Sequence, residues 1–297
     1  MSATEAAPES APGFALEPAS RFTIEALTAA YNQTRVDYLV PMPMNAARLA
    51  EYVTTYDVDL TRSVVAVMNG QIAGLGMLGV RPGRTWITRL GVLPGDRRHG
   101  LGRALMDTLL QASDTLTVQH VILEVIKNNL PAHKLFLRCG FQARRELLIV
   151  RRPPAPPAHP PTGEFRWLDR AEALAALDEK PEPPSWVTEK ASLEHADHLL
   201  GLSGRLPDGS EGWIVFQEQR FRMFPKSLAR LTLHTRHGHP TTMGRALLTS
   251  AYHQYPELDT QTENVPNDDP HLPALFEMGF VESFRRVEMH RFSHSPP

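Results

Sequence analysis

Apolar positions along the chain change their spacing several times, and each change marks an element. Ile24, Leu27 and Tyr31 share one face of a 3.6-residue repeat, which predicts a helix over 24–35. A second helix is predicted over 45–54. The period then shortens. SVVAVM, 63–68, is rich in β-branched residues and runs into Asn69-Gly70, a pair whose tolerance of positive φ favours a two-residue hairpin. The partner strand covers 71–80, glycine-rich in its middle, and TWITRLGV, 85–92, is a further strand. Helical spacing returns at Leu101, Leu105, Leu109 and Ala112. QHVILEV, 119–125, is nearly all apolar, as a strand covered on both faces would be. A short helix follows, with Asn129 as N-cap, Pro131 in the first turn and Gly140 as C-cap. One or two strands over 141–152 close the series.

The same outline returns downstream. WIVFQ, 213–217, follows the turn residues Pro207-Asp208-Gly209. Ala229–Leu233 resembles Thr88–Val92. Gly244-Arg245-Ala246-Leu247 repeats Gly102-Arg103-Ala104-Leu105, and Gly279-Phe280 repeats Gly140-Phe141. The offsets are 142 and 139 positions, so the order and spacing are those of an internal duplication. RRPPAPPAHPPTGEF, 151–165, separates the copies. Its six prolines fix φ and remove N–H donors, which suits a semi-rigid linker. The expected organisation is a disordered leader over 1–20, a first domain over 21–152, a linker over 153–163 and a second domain over 164–297. The leader is rich in Ala, Pro, Ser and Glu and has no basic start before an apolar core.

Composition narrows the setting. The formal net charge of −2 over 297 residues gives no global field that would recruit nucleic acid or an anionic membrane. The single cysteine, Cys139, cannot form an internal disulfide. No run of about 18 apolar residues occurs. The expectation is a cytoplasmic protein, monomer or homodimer, without nucleic-acid or membrane partners.

Local charge points elsewhere. Between Arg81 and Arg103 stand six arginines and one acid, Asp96. Within that span, VLPGDRRHGLGRALM, 92–106, is a glycine-rich turn that feeds a helix, a place suited to a polyanion. It is not a P-loop, because Leu101-Gly102 stands where Lys-Ser/Thr would have to follow. It is not a dinucleotide fingerprint either, because Leu105 replaces the third glycine. A plain basic loop at a helix start is a further reading.

Val92-Leu93-Pro94 followed by Arg97-Arg98-His99-Gly100-Leu101-Gly102 resembles the signature of the GNAT superfamily of acyl-CoA N-acyltransferases. So does the second stretch, Leu123-Glu124-Val125, then Asn129, Ala132, Leu135-Phe136 and Gly140-Phe141. The resemblance implies two tandem GNAT-like domains of α/β (α+β mixed sheet) class, each a mostly antiparallel sheet with a splayed strand pair and flanking helices. It implies acetyl-CoA as cosubstrate. The pyrophosphate would lie on backbone N–H groups of Arg97, Arg98, His99, Gly100, Leu101, Gly102 and Arg103. The pantetheine arm would run along Leu90, Gly91 and Val92 and past Asn129 and Phe136. The N–H near Val92 would face the developing oxyanion. The acceptor would be a primary amine of a small molecule or peptide. Phe136 stands where the family often has a tyrosine that protonates the leaving thiolate, so Tyr38 is the candidate hydroxyl. Glu124 is the candidate base, with a salt bridge to a nearby arginine as its alternative role. Asp37 and Glu51 are weaker candidates. Without that tyrosine, a non-catalytic CoA- or ligand-binding module is the competing function. The second copy has Pro240 and a single usable glycine in place of the cradle, so it is expected to be degenerate. His234, His237 and His239 cluster there without a second group of ligands, and no metal is expected.

Overall fold

The computed structural model describes residues 13–292 except 182, 222 and 223. Compactness divides them into two units. The first holds the described residues up to Val53 together with Val58–Val121, and the second holds Thr54–Asp57 and Ile122–Phe292.

The first unit contains β1 (Ala15–Pro18), α1 (Ile24–Gln33), most of α2 (Ala46–Thr55), β2 (Val64–Met68), β3 (Gln71–Arg81), β4 (Arg84–Val92) and α3 (Leu101–Thr115). Its strands pair antiparallel in the order β1-β2-β3-β4. Asn69 and Gly70 adopt φ of 52° and 74° and close the β2–β3 hairpin. Of the stretch expected to be a leader, residues 1–12 lie outside the described residues. Its end is built into the sheet, because Ala15–Pro18 pairs with β2 from Val67 to Val64.

α3 buries Leu101, Leu105, Met106, Leu109 and Leu110, one stripe of its surface, against the sheet. The glycines of β3 make that approach possible. A Cβ on Gly76 would lie 2.8 Å from Leu109 Cδ1, and one on Gly74 would lie 3.2 Å from Leu105 Cδ1. β4 carries a bulge. Thr88 pairs with Met77 and Gly91 with Leu75, so Arg89 and Leu90 together face Gly76. Arg89 takes a φ of 54° there.

The second unit holds β5 (His120–Ile126, from Ile122 on), α4 (Leu130–Arg138), β6 (Gln142–Arg152), β7 (Glu164–Leu168), α5 (Arg170–Leu177), α6 (Lys190–Glu194), β8 (Leu199–Arg205), β9 (Glu211–Phe221), β10 (Phe224–His237), α7 (Pro240–Gln254), β11 (Asp259–Pro266), α8 (Leu272–Glu277) and β12 (Val281–Phe292). Its strands run in the order β5-β12-β6-β11-β10-β9-β8-β7. The closing strands of the two repeats are therefore exchanged. β12 lies next to β5, and β6 pairs with β11. β6 and β12 pair with each other, and Leu147 stands opposite Arg286. These two residues are 139 positions apart, the same offset as Gly140 and Gly279, so a pseudo-twofold axis passes between them. Leu147–Val150 is covered on both faces, with exposures of 0 to 1%. This exchange is why the compact units part near residue 121, ahead of the proline-rich segment.

β10 and β11 run parallel only from Ser227 to Ala229 and then diverge. The divergence begins at Arg230, whose φ of 54° matches that of Arg89 in the first copy. The proline-rich segment 153–163 forms neither helix nor strand. Arg152 anchors its start by donating to Met278 O and Ala155 O, both at 2.7 Å, and by stacking 3.7 Å above the Tyr252 ring. Among the described residues no helix is long and apolar enough to cross a membrane.

Candidate active site

In the first unit β4 ends at Val92, and one 3-10 turn, Pro94–Asp96, leads into the loop that the sequence singles out. Arg97, Arg98, His99 and Gly100 are all exposed. Arg98 has φ of 70° and Gly100 has φ of 80°, so two left-handed residues stand in the loop just before the helix. Gly100 is the N-cap of α3 and supplies no side-chain bond to it. The first turn of a fifteen-residue helix is thus left without a side-chain cap, where the helix dipole favours an anion. A Cβ on Gly100 would meet nothing within 4 Å. Arg103 is drawn along the helix by Asp107, at 2.8 Å.

The segment between α1 and α2 is tied to this loop. Arg97 donates Nη1 to Asp37 Oδ2 at 2.6 Å and Nη2 to Asp37 Oδ1 at 2.8 Å. It also donates to Val92 O and Thr34 O, both at 3.2 Å. The hydrogen bonds from Arg97 hold the Asp37 carboxyl below its ordinary range. The base of the segment is pinned by Asn32, which bonds Met44 O and N at 2.8 and 3.0 Å, and by Tyr31, whose hydroxyl donates to Met42 O at 3.0 Å.

Two arginines meet beneath the segment. Arg35 lies 4.2 Å over the Tyr31 ring and 5.3 Å from the Tyr38 ring. It donates Nη1 to Thr34 Oγ1 at 2.9 Å and Nη2 to Leu90 O at 3.3 Å. Arg89 stacks on Tyr52 at 4.1 Å and donates to the Tyr31 hydroxyl at 3.2 Å. Tyr52 in turn bonds Thr88 Oγ1 at 2.6 Å. The backbone of Gly91 is pressed against this group, since a Cβ there would lie 2.5 Å from Thr34 Oγ1 and 3.0 Å from Arg35 Nη1. Tyr38 is half-buried at the edge of the cluster.

The remaining expected residues, Glu51 apart, belong to the second unit. Glu124 is near the end of β5 and its side chain is 5% exposed. It accepts from Asn264 Nδ2 at 2.7 Å and from Arg286 Nη1 at 3.2 Å. Burial raises its pKa to about 7, against the lowering pull of Arg286. Asn129 caps α4, accepting from Ala132 N at 3.4 Å. Phe136 is buried and packs edge-to-face on Phe141, and Cys139 is buried at the end of the same helix. Glu51 is exposed on α2.

The corresponding region of the second copy is built differently. Where β10 and β11 diverge there is a cavity of about 60 Å³, lined in part by Leu231, Thr232, Leu233 and Asn264. A chain of polar groups fills its side. Lys180 pairs with Asp269 at 3.2 Å, Asp269 with His271 Nδ1 at 3.1 Å, and His271 Nε2 with Thr235 Oγ1 at 2.8 Å. Burial opposes charge on Asp269, but the His271 bond and the Lys180 charge hold its pKa at about 2. Helix α7 packs closely on α8, since a Cβ on Gly244 would lie 3.1 Å from Ala274 Cβ and 3.3 Å from His271 Cδ2. Pro240 opens α7 and His234 packs 5.5 Å from Trp213.

Sequence pattern alone passes over Arg35, Arg89, Asn264 and Arg286. Arg89 left a trace, because Arg230 repeats it within the Ala229–Leu233 match. The others carry no local signal, since their partners come from distant elements.

The family model described as "Acetyltransferase (GNAT) family" matches residues 26–141. Over 87 residues the chain is 29% identical to the spermine/spermidine N(1)-acetyltransferase of Bacillus subtilis (strain 168), a match covering 26% of this chain and 57% of that protein. The chain thus spans little more than half the length of the curated relatives it matches. Among solved structures, a GCN5-related N-acetyltransferase from Sphaerobacter thermophilus has a TM-score of 0.70 at 17% identity, covering 94% of this chain and 95% of its own. A tandem GNAT protein from the clavulanic acid biosynthesis pathway has a TM-score of 0.62 at 13% identity, covering 96% of this chain and all of its own.

Proposed function

From the premise that residues 26–141 make this chain a member of the GNAT acetyltransferase family, we propose that it transfers an acetyl group from acetyl-CoA to a primary amine at one site, in the first copy. The observation that carries this is the loop before α3. It combines left-handed Arg98 and Gly100, exposed basic residues and an uncapped helix N-terminus, which together suit a pyrophosphate. Arg97–Arg103 would hold the phosphates, and the Leu90–Val92 edge of β4 would align the pantetheine arm. Acetyl-CoA supplies an activated acyl group when bound.

The chain's own residues then have two tasks. An alkylamine has a pKa of about 10.4, so its proton must be taken before attack. Glu124, with a pKa of about 7, is half ionised near neutrality and takes that role from the motif in which it stands. Asn129 takes its role toward the arm from the same motif. The leaving thiolate needs a donor, which Phe136 cannot be, and Tyr38 is the hydroxyl assigned to it. The second copy is proposed as degenerate. Pro240 removes a donor from the start of α7, and His271 and Ala274 occupy the approach to Gly244 that an arm between α7 and α8 would need.

The buried, donor-free Phe136 favours a second reading, a module that binds CoA without turnover. Titration of acetyl-CoA into the full chain, followed by thiol release with a panel of amines, separates the two. Release with any amine supports the enzyme; binding without release supports the module. Gly102→Glu should abolish binding by placing bulk and negative charge at the cradle, and unchanged binding would remove the loop from the site.

A further inference from the structure

Glu124 belongs to the first copy, yet both of its carboxylate oxygens accept from side chains of the second. Asn264 Nδ2 donates to Oε1 at 2.7 Å, and Arg286 Nη1 donates to Oε2 at 3.2 Å. Arg286 Nη1 also donates to Asn264 Oδ1 at 3.0 Å, which closes a ring of three side chains. The ring fixes the amide, because a flipped Asn264 would set oxygen against the carboxylate and nitrogen against the guanidinium. The backbone that brings Asn264 here is irregular. Thr262 pairs with Val150 and Val265 with Leu148, so Glu263 and Asn264 together face Ile149. Asn264 takes φ of 61° and is 2% exposed. Asparagine enters this left-handed region at lower cost than most residues with a Cβ. At the offset of 139 positions its counterpart in the first copy is Val125, whose φ lies outside that region. A backbone held away from its usual conformation points to a task for the side chain it places.

We infer that Asn264 is a positioning residue for the proposed acetyl transfer, holding the Glu124 carboxylate by its Nδ2 hydrogen bond in the orientation that the reaction uses. This rests on the assignment of Glu124 as base. The groups that act on Glu124 come from two strands of the second copy, Arg286 and Glu288 on β12 and Glu263 and Asn264 on β11. Burial favours the protonated acid most, and the charges of Glu288 and Glu263 add to it. Arg286 and the Asn264 amide favour the carboxylate. Asn264 is the uncharged member of this set, so removing its amide leaves every ion of the group in place. A donor bonds a carboxylate more strongly than a carboxylic acid, so losing the amide raises the pH at which Glu124 gives up its proton.

The test uses the full chain, acetyl-CoA and an amine that the panel shows to be acetylated. kcat/KM is followed across the acid and neutral range in the wild-type protein and in Asn264→Gly, since glycine keeps the left-handed backbone accessible and removes only the side chain. The ratio of the two profiles cancels the ionisation of the amine itself. The acid limb should move up by about one pH unit or more, the scale of one hydrogen bond to a charged group. Activity should therefore fall by about tenfold on the limb and return toward the wild-type plateau at alkaline pH. Unfolding in urea gives a reading free of turnover, because the loss of stability with rising pH that Glu124 causes should extend to higher pH in the same variant. Asn264→Asp also tolerates the left-handed region, replaces the donor by an acceptor and should move both readings the same way, so it decides if the glycine variant does not fold. Profiles that stay in place, or a uniform loss of activity at every pH, would overturn the inference, since Asn264 would then serve packing alone. A shifted unfolding profile beside an unmoved limb would instead fail the assignment of Glu124 as base. Absence of thiol release with every amine would fail the acetyltransferase assignment itself, while the unfolding profile still reads the hold of Asn264 on Glu124.

Discussion

Glu124 and Arg286 stand 3.2 Å apart although 162 positions separate them in the chain. The first belongs to the initial copy and the second to the last strand of the other. The exchange of β6 and β12 brings them together, and Asn264 from β11 completes the contact. The candidate base of one copy is therefore held by side chains of the other.

The pKa of Glu124 gives a pH dependence with a definite sign. Burial raises it from 4.5 to about 7, so between those values the folded chain binds a proton that the unfolded chain has released. Stability then falls as pH rises through this window, by about 3 kcal/mol at most. Glu124→Gln should flatten the dependence, which denaturant unfolding at pH 5 and pH 8 will read. The acid limb of kcat/KM, with an apparent pKa near 7, should vanish in the same variant.

Removing Arg286 leaves Glu124 buried without its cation. Arg286→Ala should destabilise the chain by about 3 kcal/mol or more at pH 8, where Glu124 is ionised. Glu124→Gln combined with Arg286→Ala should recover much of that loss. A double-mutant cycle in urea tests the coupling, and additive losses would mean that the two side chains act independently.

Asp37 occupies the two nitrogens of Arg97 that a phosphate would otherwise use. Both side chains are about half exposed, so Asp37→Asn should leave the melting temperature nearly unchanged. Acetyl-CoA affinity should rise severalfold and become more sensitive to salt, as calorimetry at two ionic strengths would show. Unchanged affinity would place the Arg97 side chain away from the phosphates.

A chain ended within the proline-rich segment, at residue 158, should not fold as the first copy alone. It keeps β5 and β6 but loses β12, which lies between them, and β11, which covers the other edge of β6. Leu147–Val150, buried on both faces in the full chain, would then lie on an open strand edge. Aggregation, or the absence of a cooperative melt, is the expected result in circular dichroism and light scattering.

Many of the elements and the loop are legible in the sequence. Helices 24–35 and 45–54, the hairpin at Asn69-Gly70 and the helix from Leu101 all lie within two residues of their expected ends. They follow from periodicity and turn chemistry, which act over a few residues. The functional contacts were less legible. Glu124 was identifiable as an acid in a motif, but its arginine could not be, because Arg286 reads locally as one polar residue of a closing strand. Arg35 reads as the solvated end of a helix, and only its stacking on Tyr31 and its reach to Leu90 O show that it is partly buried.

By itself the sequence determined the duplicated pattern, the strands and helices of the first copy from residue 24 on, and which copy keeps a glycine-rich, basic turn before a helix. Those properties are local, set by side-chain period, backbone freedom and charge within a short span. The tertiary structure alone decided that β6 and β12 change places, that Arg97 is taken up by Asp37, and that Glu124 depends on Arg286. An apolar strand such as Leu147–Val150 signals that it must be covered, but burial is non-directional and does not say by which strand.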